Sequence, residues 1–191
     1  MGLLRALGFD EQACSCRVMK GSEKIRPIRR RGALVKIGEV RYDCDVGYGG
    51  VSFPGAAPLL AGRLCTHNGL TFWMEPFEGG WWRFCRLVPP WERDKFPGRA
   101  GICELMVGNY ANIPEDYLPY NAFCCEDPRS PFRTQRRAHL RTETGFYDLV
   151  NDRFTIRRGD ELETRTLTSR EEIRLVLDSY FSIDVAFEEL K

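Results

Sequence analysis

The residue types able to carry chemistry are few and scattered. There are eight cysteines, including Cys14 and Cys16 one residue apart and the adjacent Cys124 and Cys125, and His67 and His139 are the only imidazoles. A structural zinc site draws on ligands in clustered pairs about two to four residues apart. Here the two cysteine pairs lie far from each other, so no metal site is expected. Disulfide frameworks belong to small secreted domains, whereas 191 residues bury a sufficient core without staples. The thiols are therefore read as reduced and mostly as small buried hydrophobes. Cys103, in the run Arg99-Ala100-Gly101-Ile102-Cys103-Glu104, has no base beside it in sequence and reads as a loop cysteine. His139 sits among Arg136, Arg137 and Arg141, whose charges disfavour an imidazolium, and reads as a surface strand position.

A second constellation is Asp45-Val46-Gly47-Tyr48-Gly49-Gly50. In the run before it, Val40, Tyr42, Cys44 and Val46 alternate with Arg41, Asp43 and Asp45, a period of two that sends apolar and charged sets to opposite faces of a strand. Gly47, Gly49 and Gly50 allow either of two readings. A glycine loop lets backbone amides cradle a pyrophosphate; equally, such a run after a strand is a turn or bulge.

The charge balance restricts partners. With 28 Lys+Arg against 27 Asp+Glu and a net charge of +1, nothing draws the whole molecule to nucleic acid or an anionic membrane. The basic stretch Arg26 to Arg31 carries no nucleic-acid motif. No segment reaches the roughly 20 apolar residues of a membrane span, and the opening MGLLRALGFDEQ has neither signal-peptide nor transit-peptide character. A cytoplasmic location is expected.

The elements that must position these groups follow from pattern. LLRAL at 3–7 reads as the last turns of a helix stopped by Gly8, too short to stand alone. The chain thus reads as if a segment preceded it. Strands follow at 33–37 and 40–46 around a Gly38 turn, and FWMEPF and WWRFCRL form an aromatic hairpin across Glu78-Gly79-Gly80. Pro89 to Pro119, rich in Pro and Gly, reads as a long surface connection, with a domain boundary near 115–125. Four strand candidates then run from 136 to 167. Ser169 opens a helix through a capping box with Glu172, and Ile173, Val176, Leu177, Tyr180 and Phe181 make one apolar stripe.

Three segments in order resemble the arylamine N-acetyltransferase family. VRYDCDVGYGG at 40–50 is similar to that family's D-V-G-F-G-G stretch. IPEDYLPYNAFCCEDPRSPF at 113–132 is similar to its acidic-aromatic lead followed by P-x-S-x-F, and residues 153–184 to its closing strands and helix. The LLRALGF…CRV opening is similar to the segment just after the family's nucleophile. The resemblance implies an α+β fold: an antiparallel β-barrel unit at 1–118, with a residual N-terminal helix, then a smaller antiparallel-sheet-plus-helix lid at 119–191. It also implies acetyl-CoA as cosubstrate, arylamines, arylhydrazines or arylhydroxylamines as acceptors, and a Cys-His-Asp triad in which an imidazole activates the thiol and the Asp orients the imidazole.

By that resemblance Asp45 matches the triad aspartate, Gly47, Gly49 and Gly50 the coenzyme-binding loop, and Ser130 a polar position near coenzyme A, with Arg129, Arg133, Arg136 and Arg137 available to its phosphates. Two triad members are missing. The family's His falls where this sequence has RPIRRRGALVKI, with Arg29, Arg30 and Arg31, and the nucleophile falls ahead of residue 1. The expected readings are a truncated or degenerate acetyltransferase, or an inactive acyl-CoA-binding or partner-binding remnant.

Two outcomes are expected. Asp45 lies at a strand end facing a polar cleft, with one of Arg29 to Arg31 where the family has His. Residues 1–191 alone are also weakly stable or associate, because each 100 Å² of apolar barrel surface left uncovered forfeits about 2.5 kcal/mol, against a net stability of about 5–15 kcal/mol. Size-exclusion chromatography with a thermal melt checks the second; a sharp monomeric peak with a high, cooperative transition would contradict it.

Overall fold

In the structure, a computed structural model, the described residues are 2–45, 47–48 and 55–186. A short helix α1 (Gly2–Ala6) ends where Gly8 takes a left-handed φ of 84°. Eight antiparallel strands follow: β1 (Asp10–Val18), β2 (Arg30–Ile37), β3 (Val40–Asp43), β4 (Ala57–Pro58), β5 (Cys65–His67), β6 (Leu70–Phe77), β7 (Trp81–Leu87) and β8 (Gly101–Gly108). Their spatial order is β4-β3-β2-β1-β8-β7-β6-β5. The chain just after the edge strand β4 meets β6, the strand next to the opposite edge, through a bridge from Ala61 to Met74, where the Gly62 amide donates to the Met74 carbonyl at 3.0 Å. The sheet is therefore a nearly closed barrel. Its interior is filled by Cys14, Cys16, Leu34, Leu59, Phe72, Met74, Phe84, Leu105 and Val107.

Tight turns set the registers. Ile37 and Val40 are joined by Gly38-Glu39 with Gly38 at φ 60°, a two-residue hairpin with glycine first. His67 and Leu70 are joined by Asn68-Gly69, both at positive φ, the preferred hairpin dipeptide.

The expected strand over 40–46 ends at Asp43, and Val46 lies outside the described residues. The connection expected over 89–119 needs correction. It contains β8, which pairs with both β1 and β7 and is buried along most of its length. The Pro and Gly residues on both sides punctuate a real strand, ICELMVG. The same stretch runs into α2 (Leu118–Glu126), followed by α3 (Pro131–Thr134).

The second sheet has the order β12-β11-β10-β9, from β9 (Arg137–Arg141), β10 (Gly145–Val150), β11 (Arg153–Arg158) and β12 (Glu161–Thr166). Helix α4 (Arg170–Phe181) covers one face, burying Ile173, Val176 and Leu177 against Leu149, Phe154 and Ile156. Tyr180 meets Tyr147 and Phe154 at ring-centroid distances of 5.0 and 4.8 Å. The α+β class read from the sequence is the observed one.

Arg157, 2 % exposed on β11, ties this sheet to the barrel: its guanidinium lies 4.2 Å over the Trp91 ring and donates to the Asn68 carbonyl at 3.4 Å. Gly69 leaves room for it, since a Cβ there would stand 3.0 Å from Arg157 Nη2.

Ser169 caps α4 by accepting from the Glu172 amide at 3.1 Å. The Glu172 carboxylate reaches one residue further back than the box requires, accepting from the Thr168 amide at 2.6 Å. Replacing Ser169 with Ala is expected to cost about 1 kcal/mol, and Ser169→Gly only a few tenths. Urea melts followed by circular dichroism at 222 nm check the ranking.

Candidate functional site

β2 and β3 bring the charged residues inward. Leu34, a core residue, stands opposite Asp43. A Cβ on Gly32 would meet Cys16 Sγ at 2.8 Å, Cys14 Sγ at 3.0 Å and Asp43 Oδ1 at 3.6 Å. Asp43 is thus wholly inside the barrel, while Val40, Tyr42 and Cys44 on the other face are only half-buried. The alternation correctly divides the strand into two faces. Only the curvature of the sheet decides which face becomes the interior, and it is the acidic one.

Just past β3, Asp45 is buried in a two-pronged pair with Arg30, whose Nε and Nη2 donate to the two carboxylate oxygens. The Gly47 amide adds a third donor at 3.1 Å. The arginine expected beside Asp45 is therefore Arg30. Its neighbours Arg29 and Arg31 instead lie over the rings of Phe123 and Tyr117, at 3.9 and 4.9 Å, which brings the segment around α2 against the barrel rim.

From this pair a line of buried polar groups crosses the barrel. Arg30 lies 5.2 Å from the Tyr48 ring centroid, and the Tyr48 hydroxyl donates to Glu104 Oε1 at 2.7 Å. Glu104 Oε2 accepts from Arg86 Nε at 3.1 Å, and Arg86 Nη2 reaches Glu92 Oε2 at 2.7 Å. A bulge places Glu104 in this line. The pairing shifts between Phe84 and Cys85, so that Glu104 and its neighbour Leu105 are both buried. Glu92 also lines a cleft of about 300 Å³ between Trp91 and the second sheet, with Lys95, Arg137, Phe146 and Asp148. None of this network is evident from local sequence patterns. The only hint is a charged residue, Arg86, at inward parity with Phe84 in an otherwise aromatic strand.

The electrostatics limit what the site can do. Burial, then the charge of Asp45, pushes the Asp43 carboxyl well above the carboxylate range. Neither of its oxygens has a hydrogen-bond partner among the described residues. Burial thus favours the protonated form of Asp43. The nearest thiol, Cys16, is pushed well above its ordinary range by Cys14, whose sulfur is 3.9 Å away, then by burial and the charges of Asp43 and Asp45. A thiol held protonated is a poor nucleophile. An arginine does not lose its proton in proteins. The Arg30–Asp45 pair can hold charge and fix the loop at Gly47, and Arg30 cannot take a proton from a thiol.

The other sequence candidates fall in several places. Gly47 is exposed beside the pair, while Gly49 and Gly50 lie outside the described residues. Ser130 is fully buried as the cap of α3, accepting from the Phe132 amide at 3.3 Å and donating to the Cys124 carbonyl at 2.9 Å. Arg129 is engaged by Asp127 at 2.6 Å. His139 lies on β9 as read, half-buried, with Nδ1 3.1 Å from Asp148 Oδ1. Cys103 is a strand residue of β8, correcting its reading as a loop cysteine. Among the described residues, no three His, Cys, Asp or Glu side chains converge as metal ligands do, and no helix is long and apolar enough to cross a membrane.

Comparison with known proteins matches this fold. Residues 110–190 match a family model described as N-acetyltransferase. The chain superposes on the arylamine N-acetyltransferase from Mycobacterium abscessus with a TM-score of 0.82 at 23% identity, covering 98% of this chain and 66% of that one. The enzyme from Salmonella typhimurium gives 0.83 at 18% identity, covering 98% and 68%. That of Mycobacterium marinum, solved in complex with CoA, gives 0.83 at 16% identity, covering 99% and 69%. No curated protein sequence matches. The chain therefore has the arylamine N-acetyltransferase fold, as its sequence motifs indicated, and spans about two thirds of the length of these structures.

Two substitutions separate the roles of the acids. Arg30→Ala leaves Asp45 buried without its partner and is expected to cost about 3 kcal/mol or more. Asp43 holds its proton in the folded state at pH values where the unfolded chain has released it, so its contribution to stability is present below about pH 4 and is lost as pH rises from there toward its raised folded value. Asp43→Asn is therefore expected to flatten the decline of stability with rising pH. Urea unfolding from pH 5 to 8 checks this, and an unchanged slope would contradict it.

Proposed function

We propose that this chain uses the arylamine N-acetyltransferase scaffold to bind acetyl-CoA or a related acyl-CoA, and that its own 191 residues do not carry out the acetyl transfer. The observation that carries this reading is the Arg30–Asp45 pair. By resemblance, Asp45 stands where the family's triad aspartate orients a histidine, and its carboxylate is here engaged by a guanidinium. Thiol activation needs a group that takes a proton and returns it; a permanent cation does neither, whatever cysteine is brought to it. The same pair is suited to fixing a loop: Asp45 holds the Gly47 amide at the start of the glycine segment proposed to meet the coenzyme diphosphate. Ser130, by closing the turn between α2 and α3, would position the surrounding arginines for the coenzyme phosphates.

The second reading is the full activity, in which a cysteine takes the acetyl group from acetyl-CoA and passes it to an arylamine. The shared fold favours it. It needs an imidazole beside Asp45, and His67 and His139 both lie elsewhere, on β5 and β9.

The experiment pairs binding with turnover. Calorimetric titration with coenzyme A and with acetyl-CoA is expected to show binding that weakens as salt rises. Acetylation of a simple aniline is expected to stay far below about 1 per second, an ordinary enzymatic rate. Turnover near that rate would establish the second reading, and absence of binding at millimolar coenzyme A would refute the first.

A further inference from the structure

We infer that Cys85 and Cys103 form an oxidisable dithiol on the outer wall of the barrel, which hydroperoxides close to a cross-strand disulfide. The two residues are direct partners in the β7–β8 register, immediately beside the bulge. Directly opposed residues of an antiparallel pair have Cα atoms about 4.5–5.5 Å apart, within the span of about 4.4–6.8 Å that a disulfide bridges. Cys85 lies between the inward-facing Phe84 and Arg86 and points to the other face, where it is itself buried beside its β6 partner Trp73, so that the oxidant reaches the pair through Cys103. The same bulge that turns Glu104 into the interior leaves Cys103 half-buried, where a small oxidant can reach it.

The surroundings give the two sulfurs different roles. A hydrogen bond from Cys85, then the positive charge of Arg83, lowers the Cys103 thiol below its ordinary value, against burial and the charges of Glu104 and Glu75. The Cys85 thiol is pushed up, foremost by that same hydrogen bond. When neutral, Cys103 can donate instead to the Leu105 carbonyl at 3.5 Å. Cys103 is therefore the attacking sulfur and Cys85 the resolving one.

In the first step the Cys103 thiolate attacks one peroxide oxygen. An S–O bond forms and the O–O bond breaks, oxidising the sulfur by two electrons, and the hydroperoxide leaves as hydroxide or alkoxide. In the second step the Cys85 sulfur attacks the sulfenic sulfur, the S–S bond forms, the S–O bond breaks, and the departing oxygen leaves as water with the proton of Cys85.

The other close thiols are less suited. Cys14 and Cys16 are both wholly buried, and the Cys16 thiol is pushed well above its ordinary range. Cys124 and Cys125 are neighbours on α2, where successive side chains point about 100° apart.

The test treats the 191-residue protein with one equivalent of hydrogen peroxide, blocks remaining thiols with N-ethylmaleimide and maps tryptic peptides by mass spectrometry. The expected result is a cross-link, reversible by dithiothreitol, between the peptides 84–86 and 100–129, located by fragmentation at Cys85 and Cys103. In Cys85→Ser the cross-link is lost and Cys103 is trapped by dimedone as the sulfenic acid. In Cys103→Ser, at the half-buried position, the cross-link is lost and Cys85 stays alkylatable. Circular dichroism confirms that each variant is folded. The inference is overturned if Cys103 of the wild-type protein remains alkylatable while Cys124 and Cys125 oxidise, or if it accumulates as sulfenic acid with no cross-link.

Discussion

A carboxylate taken out of water must be matched by a cation and hydrogen-bond donors, or it takes up a proton. Both outcomes occur within three residues here. Asp45 is matched, by the guanidinium of Arg30 and the amide of Gly47. Asp43, two residues earlier on the same face, has no hydrogen-bond partner among the described residues, and burial pushes its carboxyl well above the carboxylate range, toward the protonated form. The Arg30–Asp45 pair anchors the chain just past β3 to the start of β2 and holds the Gly47 amide. It also begins the line of polar contacts through Tyr48, Glu104 and Arg86 to Glu92. An arginine next to a buried aspartate makes a rigid strut. A histidine in the same place would make a proton relay.

The architecture distributes these roles. The β8 bulge serves two sides of one wall, turning Glu104 inward to receive Tyr48 and Arg86 while leaving Cys103 outward, opposite Cys85. The second sheet is joined to the barrel partly by a buried arginine, Arg157, spread over Trp91 and bonded to the Asn68 carbonyl at the tip of the β5–β6 hairpin. Gly69 in that hairpin thus meets two demands, a positive φ for the turn and an open side for the guanidinium. On the second sheet, α4 is held by apolar packing and its own cap.

The sequence by itself determined much of this protein's local structure. Period-two alternation and turn glycines place β2, β3, β6 and β7, and the stripe from Ile173 to Phe181 with the Ser169 cap places α4, because these depend on neighbours a few residues away. The order of its motifs was sufficient to indicate the fold. Strand β8 was hidden because prolines and glycines flank it and its support comes from β1 and β7, distant in sequence. Tertiary structure alone decided which face of β3 turned inward, since alternation divides a strand into two faces without choosing the concave one. It also decided which of three consecutive arginines meets Asp45: by strand parity Arg30 shares the inner face with Gly32 and Leu34, while Arg29 and Arg31 turn out toward Phe123 and Tyr117. The line from Tyr48 to Glu92 and the opposition of Cys85 to Cys103 likewise depend on a bulge and a register, which arise only when separate strands are laid side by side.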